Sequence, residues 1–230
     1  MELTDAGPLV LLAGYQAPDA LRRIGLSRLT AWLRNRKVRG AENLAKAAVE
    51  AGERQHTAVA GETVIAQMVH TLAKEVMVLN EKITETEKLI AGRFREHELA
   101  ETVLSMPGMG PKLGAEFLVA VSGSLDGFPT ADRLAAFGGV APAPHGSGKT
   151  SGNLRRSQRY HRRLQHVFST SALVSSWSDP NSKRFYARKR AEGKSRIQAV
   201  LALARRRVNV LWALIRDRRC YQVEPPAAAC

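Results

Sequence analysis

The chain has 230 residues, 35 Lys and Arg against 21 Asp and Glu, and a formal charge of +14, which places it among proteins that contact a polyanion. No stretch approaches the roughly 18 consecutive apolar residues of a membrane span, and LVLLAG at positions 9–14 follows an acidic start rather than a basic leader, so a cytoplasmic, non-exported protein is expected. Cys220 and Cys230 match no metal-ligand spacing, which excludes a zinc framework or a disulfide scaffold as the basis of the fold.

Nearly every segment reads as helix. Asp19 is placed to cap ALRRIG, Ser27 to cap RLTAWLRNRK, and Gly40 precedes AENLAKAAVEAG, so residues 1–55 are expected to form several short helices punctuated by glycine. Between residues 61 and 94 there is no proline. There Ile65, Val69, Leu72, Val76, Leu79, Ile83 and Ile90 recur at alternating spacings of four and three, with Thr86 in the one polar seam position. That pattern predicts a long helix of the coiled-coil type. Pairing with a second copy and packing within the same chain fit the periodicity equally well.

The next segment, LSMPGMGPKLGAEFLVAV, covers residues 104–121. Its Pro107-Gly108-Met109-Gly110 core predicts a tight turn between two helices. Such a turn can aim backbone N–H groups at a phosphate, with Lys112 adding charge, as in a helix-hairpin-helix module. A glycine turn between packed helices is the plainer reading. Thr130 then predicts an N-cap for ADRLAAF, and Gly138-Gly139 its end.

The passage from 141 to 163, APAPHGSGKTSGNLRRSQRYHRR, sets Ser147, Lys149 and Ser151 in a glycine-rich stretch ahead of Arg155, Arg156, Arg159, Arg162 and Arg163. A hydroxyl beside many guanidiniums is what phosphodiester chemistry needs, although a lone serine in such a stretch is more often part of a plain surface linker. Charge concentrates here and beyond. Residues 147–219 carry 19 Lys and Arg against 3 Asp and Glu, a net of +16, while the other residues, 16 basic and 18 acidic, sum to −2. The closing IQAVLALARRRVNVLWALIRD segment predicts a helix. Three consecutive helical positions, Arg205, Arg206 and Arg207, fan over about 200° and cannot all face one groove.

Taken together, MPGMGPKLGAEF, DRLAAFGGVAPAP, SGK, LRR and AVLALARRRVNVLWALIRD resemble the C-terminal domain of the insertion-sequence 110/116/902 transposases, and LVLLAGYQAPDALRRIG with the heptad helix resembles that family's central region. The resemblance implies a mainly α fold: short helices, a long coiled-coil-type helix, then a helical domain with a helix-hairpin-helix and a flexible serine loop. It implies residues 1–58 as a helical remnant after a RuvC-like domain, 59–98 as the long helix, 99–221 as the DNA-binding and serine domain, and 222–230 as a disordered tail.

It further implies DNA recombination in which Ser147, or Ser151 as the fallback, attacks a phosphodiester. Gly108, Gly110, Lys112, Lys149, Arg155, Arg156, Arg159, Arg162, Arg163, Arg205 and Arg206 would hold DNA. Partners implied are DNA, a guide noncoding RNA that family members can use, and a second copy or higher oligomer through residues 61–94. The complete family enzyme would use Mg²⁺ on an acidic tetrad. Asp5 and Asp19 lie in no alternating strand pattern and supply no four converging carboxylates, so this chain is expected to hold no metal or other cofactor, to be a truncated or misstarted form, and to bind DNA without cleaving it. A non-catalytic, basic DNA- or RNA-binding regulator is the competing expectation.

Overall fold

The computed structural model describes residues 6–55, 57, 60–144, 154–156 and 159–223, with the backbone alone at 143–144 and 154–156. Ten helices and one two-stranded ribbon make up the described residues, a mainly α protein as expected. The chain divides into two compact units, Met1–Thr86 and Glu87–Cys230.

In the first unit, α1 (Ala6–Gly14), α2 (Pro18–Asn35) and α3 (Ala41–Arg54) surround Leu11, Leu29, Leu33, Leu44 and Ala45. Sequence reading separates α2 into two helices capped by Asp19 and Ser27. Pro18–Asn35 is indeed two helical pieces, meeting at a kink at Gly25, whose φ of +70° only glycine adopts at little cost; the first piece starts at Pro18 with Ala17, not Asp19, as N-cap, and Asp19 lies in its first turn. Tyr15 meets Trp32 edge to face at 5.0 Å, and the Arg36 guanidinium lies 3.8 Å from the Trp32 ring centre.

The periodic stretch forms one helix, α4 (Glu62–Arg95), and the division between the units falls within it. In the first unit His70 donates through Nδ1 to the Ala13 carbonyl at 2.8 Å, and Ala73 is buried. On the seam Ile65, Leu72, Leu79, Ile83 and Ile90 remain 43–56% exposed.

The second unit is built on α8 (Arg162–Ser178) and α10 (Arg196–Arg216), with α5 (Ala100–Ser105), α6 (Pro111–Ala120), α7 (Ala131–Phe137) and α9 (Pro180–Ala191) packed around them. Phe117, Leu134, Leu164, Val103, Val167, Leu203 and Val208 form its fully buried centre. The starts of α7, α9 and α10 are capped by side chains. Thr130 accepts from the Arg133 N–H, as its position predicts, Asp179 caps α9, and Ser195 with Gln198 forms a capping box on α10. Trp212 Nε1 donates to the Phe128 carbonyl at 2.9 Å and ties down the α6–α7 connection.

Candidate nucleic-acid interface

The hairpin begins where α5 ends. Met106 and Met109 are buried, and the Met109 N–H closes a turn on the Met106 carbonyl at 3.0 Å. Pro107 stands second in this turn and Gly108, with φ of +76°, third, the residue signature of a type II turn. A Cβ at Gly108 would lie 2.6 Å from the Ser171 carbonyl oxygen of α8, so this glycine is where the hairpin presses on the helix beneath it. Gly110 differs: it is the N-cap of α6, its φ is −85°, and a Cβ there would meet nothing within 4 Å. Pro111 follows at the first helical position, leaving the Lys112 and Leu113 N–H groups free of intrahelical partners at an open helix start. Lys112 itself pairs with Glu87 at 2.6 Å, and that hydrogen-bonded charge raises its pKa.

Arg207 holds the hairpin from behind, a role its place in the arginine triplet does not reveal. Its guanidinium donates to the Pro107 carbonyl and, at 2.8 Å, to Ser171 Oγ, bridging the turn to α8 from a position only 7% exposed. Burial lowers its pKa to about 10, while the charges of Asp179 and Tyr221 act in the opposite direction. The triplet divides as helical geometry requires. Arg205 reaches Asp132 of α7 and Asn209, Arg206 lies over the Phe185 ring at 5.0 Å, and Arg207 faces the core.

The arginine block is likewise split among elements. Arg155 and Arg156 belong to strand β2 (Leu154–Arg156), which pairs antiparallel with β1 (Pro142–Pro144) in the register Pro142–Arg156, Ala143–Arg155 and Pro144–Leu154. Ser147, Lys149 and Ser151 lie outside the described residues, in the stretch that leaves at Pro144 and returns at Leu154, its partner in the ribbon. Arg159 is exposed and engaged in contacts of its own.

Arg162 and Arg163 are exposed and occupy the first turn of α8, whose N-cap is His161. The His161 ring stacks on Phe137 at 5.2 Å, and its Nδ1 accepts from the Leu164 N–H at 3.1 Å. Cations in a first helical turn oppose the helix dipole at a cost of about 0.3–1 kcal/mol each, a cost an anion at that end removes. From Arg162 to Ser171, under the hairpin, α8 rises roughly 14 Å, about four base-pair steps, so turn and arginines sit two and a half helical turns apart.

A further cationic cluster falls outside the sequence-derived set. On α9, Arg188 and Lys189 lie 5.1 and 5.6 Å from the centre of the Phe185 ring that Arg206 also approaches. The stretch reads as merely basic because its few apolar residues show no helical stripe, and only the fold puts a ring at the centre of three cations. Among the described residues, no three His, Cys, Asp or Glu side chains gather in a way that could hold a metal ion, and Asp19 is paired with Arg22.

These features define a basic helical module with a hairpin-framed open helix start and a ribbon leading into a serine-bearing stretch. Residues 100–187 match the Transposase IS116/IS110/IS902 family. Over 96% of its length the chain is 52% identical to an insertion element IS900 uncharacterized 42 kDa protein of Mycobacterium paratuberculosis and 47% identical to an insertion element IS116 uncharacterized 44.8 kDa protein of Streptomyces clavuligerus. Over 94% it is 35% identical to an insertion element IS110 uncharacterized 43.6 kDa protein of Streptomyces coelicolor. The chain belongs to the IS110/IS116/IS902 transposase family. It spans about half the length of these relatives, 55%, 55% and 53% respectively.

Proposed function

We propose that this chain is the DNA-gripping, serine-bearing portion of an insertion-element transposase. The carrying observation is the pair of exposed arginines, Arg162 and Arg163, in the first turn of α8, just beyond the ribbon that returns from the serine stretch. With Arg155, Arg156, Arg159 and Lys149 they supply cations for a phosphodiester backbone, and the open α6 start at Gly110 supplies a second contact point along the duplex. Gly108 serves this surface indirectly, by seating the hairpin on α8. In the reaction Ser147 Oγ forms a bond to phosphorus as the bond to the leaving sugar oxygen breaks, and the serine proton passes to that oxygen. Ser151 is the alternative nucleophile. Neighbouring guanidiniums stabilise the charge that develops on the phosphorane.

The described residues do not group the carboxylates that a metal would need. On this reading the chain alone binds DNA and forms no covalent adduct. A family protein that retains its acidic residues but lacks its own serine is expected to restore recombination with this chain and not with Ser147→Ala; equal behaviour of the two chains, or an adduct from this chain alone, refutes this reading.

Self-association through α4 belongs to the same proposal. Val69, Val76, Ile83 and Ile90 occupy the a positions and Ile65, Leu72, Leu79 and Thr86 the d positions, and β-branched a residues with leucine at d favour parallel two-stranded coils. Parallel pairing sets Lys82 against Glu87 of the second copy, an attractive g-to-e pair. A structured RNA would present the same phosphate chemistry to these arginines, and competition against DNA tests it.

A further inference from the structure

The second unit also contains a groove. It lies between α9, α10 and residues 219–223 and encloses about 910 Å³, within the roughly 300–1,000 Å³ of small-molecule sites. Met106, Leu203, Val210 and Leu214 give it an apolar lining. Its edge is cationic. Arg206 and Arg219 line it together with Phe185, the ring that Arg188 and Lys189 also crowd. Arg188 and Lys189 are paired with Glu192 and Arg219 with Asp217, whereas Arg206 makes no ion pair among the described residues and is held by the Phe185 face alone.

The wall of the groove holds a buried cation. Arg207, 7% exposed, lines the groove and keeps Nε without a hydrogen-bond partner. A buried guanidinium N–H without an acceptor is costly to leave unmade, so this wall is held by the other bonds of Arg207, to the Pro107 carbonyl and Ser171 Oγ. An apolar recess, an aromatic edge and one guanidinium without an ion pair, that of Arg206, together match a nucleotide: an apolar face for the base and a cation for its phosphate. A base still paired within a duplex cannot enter a recess of this kind; an extruded one can.

We propose that the groove between α9 and α10 receives one unpaired nucleotide of the bound DNA, its base against Val210 and Leu214 and its phosphate on Arg206. The proposal rests on the DNA-binding reading above and adds to it a preference for locally unpaired DNA. Stacking and burial of one base is expected to tighten binding about fivefold or more.

The test measures binding of the full chain, by fluorescence anisotropy at one salt concentration, to a short fully paired duplex and to the same duplex carrying one bulged thymidine. The parent is expected to prefer the bulged duplex. Ala213→Phe, which fills the groove from its wall, is expected to lose that preference while binding the paired duplex as the parent does. Arg206→Gln, a change at an exposed side chain, is expected to lose the preference too and keeps the test valid should Ala213→Phe fail to fold. Equal binding of both duplexes by the parent, or a preference that survives in a folded Ala213→Phe or in Arg206→Gln, overturns the inference and leaves the DNA-binding reading standing. Failure of the parent to bind either duplex overturns both.

Discussion

Replacing Gly108 by alanine should damage the second unit, whereas the same change two residues later at Gly110 should be nearly silent for stability. At Gly108 two costs add. The φ of +76° is a conformation that charges an L-residue about 1–2 kcal/mol, and the new Cβ would stand 2.6 Å from the Ser171 carbonyl oxygen, 3.1 Å from the Ser175 nitrogen and 3.2 Å from the Val174 Cβ. The two closest atoms are backbone of α8 and cannot rotate away, so relief requires the hairpin to lift from the helix, an overpacking cost of about 1–3 kcal/mol. The sum, about 2–5 kcal/mol, is a large part of the roughly 5–15 kcal/mol that stabilises a domain. It corresponds to a fall of about 5–15 °C in Tm. Gly110 has an ordinary φ and empty space around it. There the weaker N-cap preference of alanine is set against a reduced unfolded-state entropy, for a net change within about 1 kcal/mol. Urea unfolding of the two variants beside the parent measures this directly. Equal midpoints for Gly108→Ala and Gly110→Ala would refute the packing account of the hairpin.

Three further outcomes follow from the same geometry. Burial lowers the pKa of the Arg207 guanidinium to about 10 in the folded chain, below its ordinary value, so the unfolded state binds more protons above about pH 10 and this group's contribution to stability rises with pH there. Subtracting Arg207→Met from the parent cancels the other titrations, and the parent should gain about 1 kcal/mol relative to the variant between roughly pH 9 and 11; parallel stability curves would contradict the buried cation. Ile83→Asp and Leu79→Asp, at half-exposed seam positions, should shift sedimentation toward the single chain without lowering helix content, whereas unchanged sedimentation would remove the parallel coil. Thr130→Ala removes the oxygen that accepts the Arg133 N–H at 3.3 Å and should cost about 1 kcal/mol in thermal unfolding; no change would show that α7 does not depend on its cap.

The features readable from the chain are those whose cause is local. The heptad helix is legible because no proline or glycine interrupts the seam between Glu62 and Ile90, and the hairpin because Pro107 and Gly108 fit one turn type. Thr130 is a local cap that sequence rules find. Other features depend on partners far along the chain. Arg207 reads as one of three surface arginines until Pro107, 100 residues away, is seen to accept its N–H. The ribbon carries two prolines in β1 and no alternating pattern, so nothing local announces it. Helix α9 is masked by its charge, since its apolar contribution to the fold is little more than Phe185 and Tyr186. The Phe185 cluster is invisible for the same reason: Arg188 and Arg206 belong to different helices.

The central claim is that exposed arginines at the start of α8 grip a phosphate backbone. Its most direct test is the salt dependence of duplex binding by the full chain and by the Arg162→Gln/Arg163→Gln form. The account predicts that log K falls steeply and linearly with log salt concentration for the parent, and that the double substitution makes the slope shallower by about 1.8, two phosphate contacts' worth, whatever the duplex sequence. A flat response in the parent, or an identical slope after both arginines are removed, would contradict it.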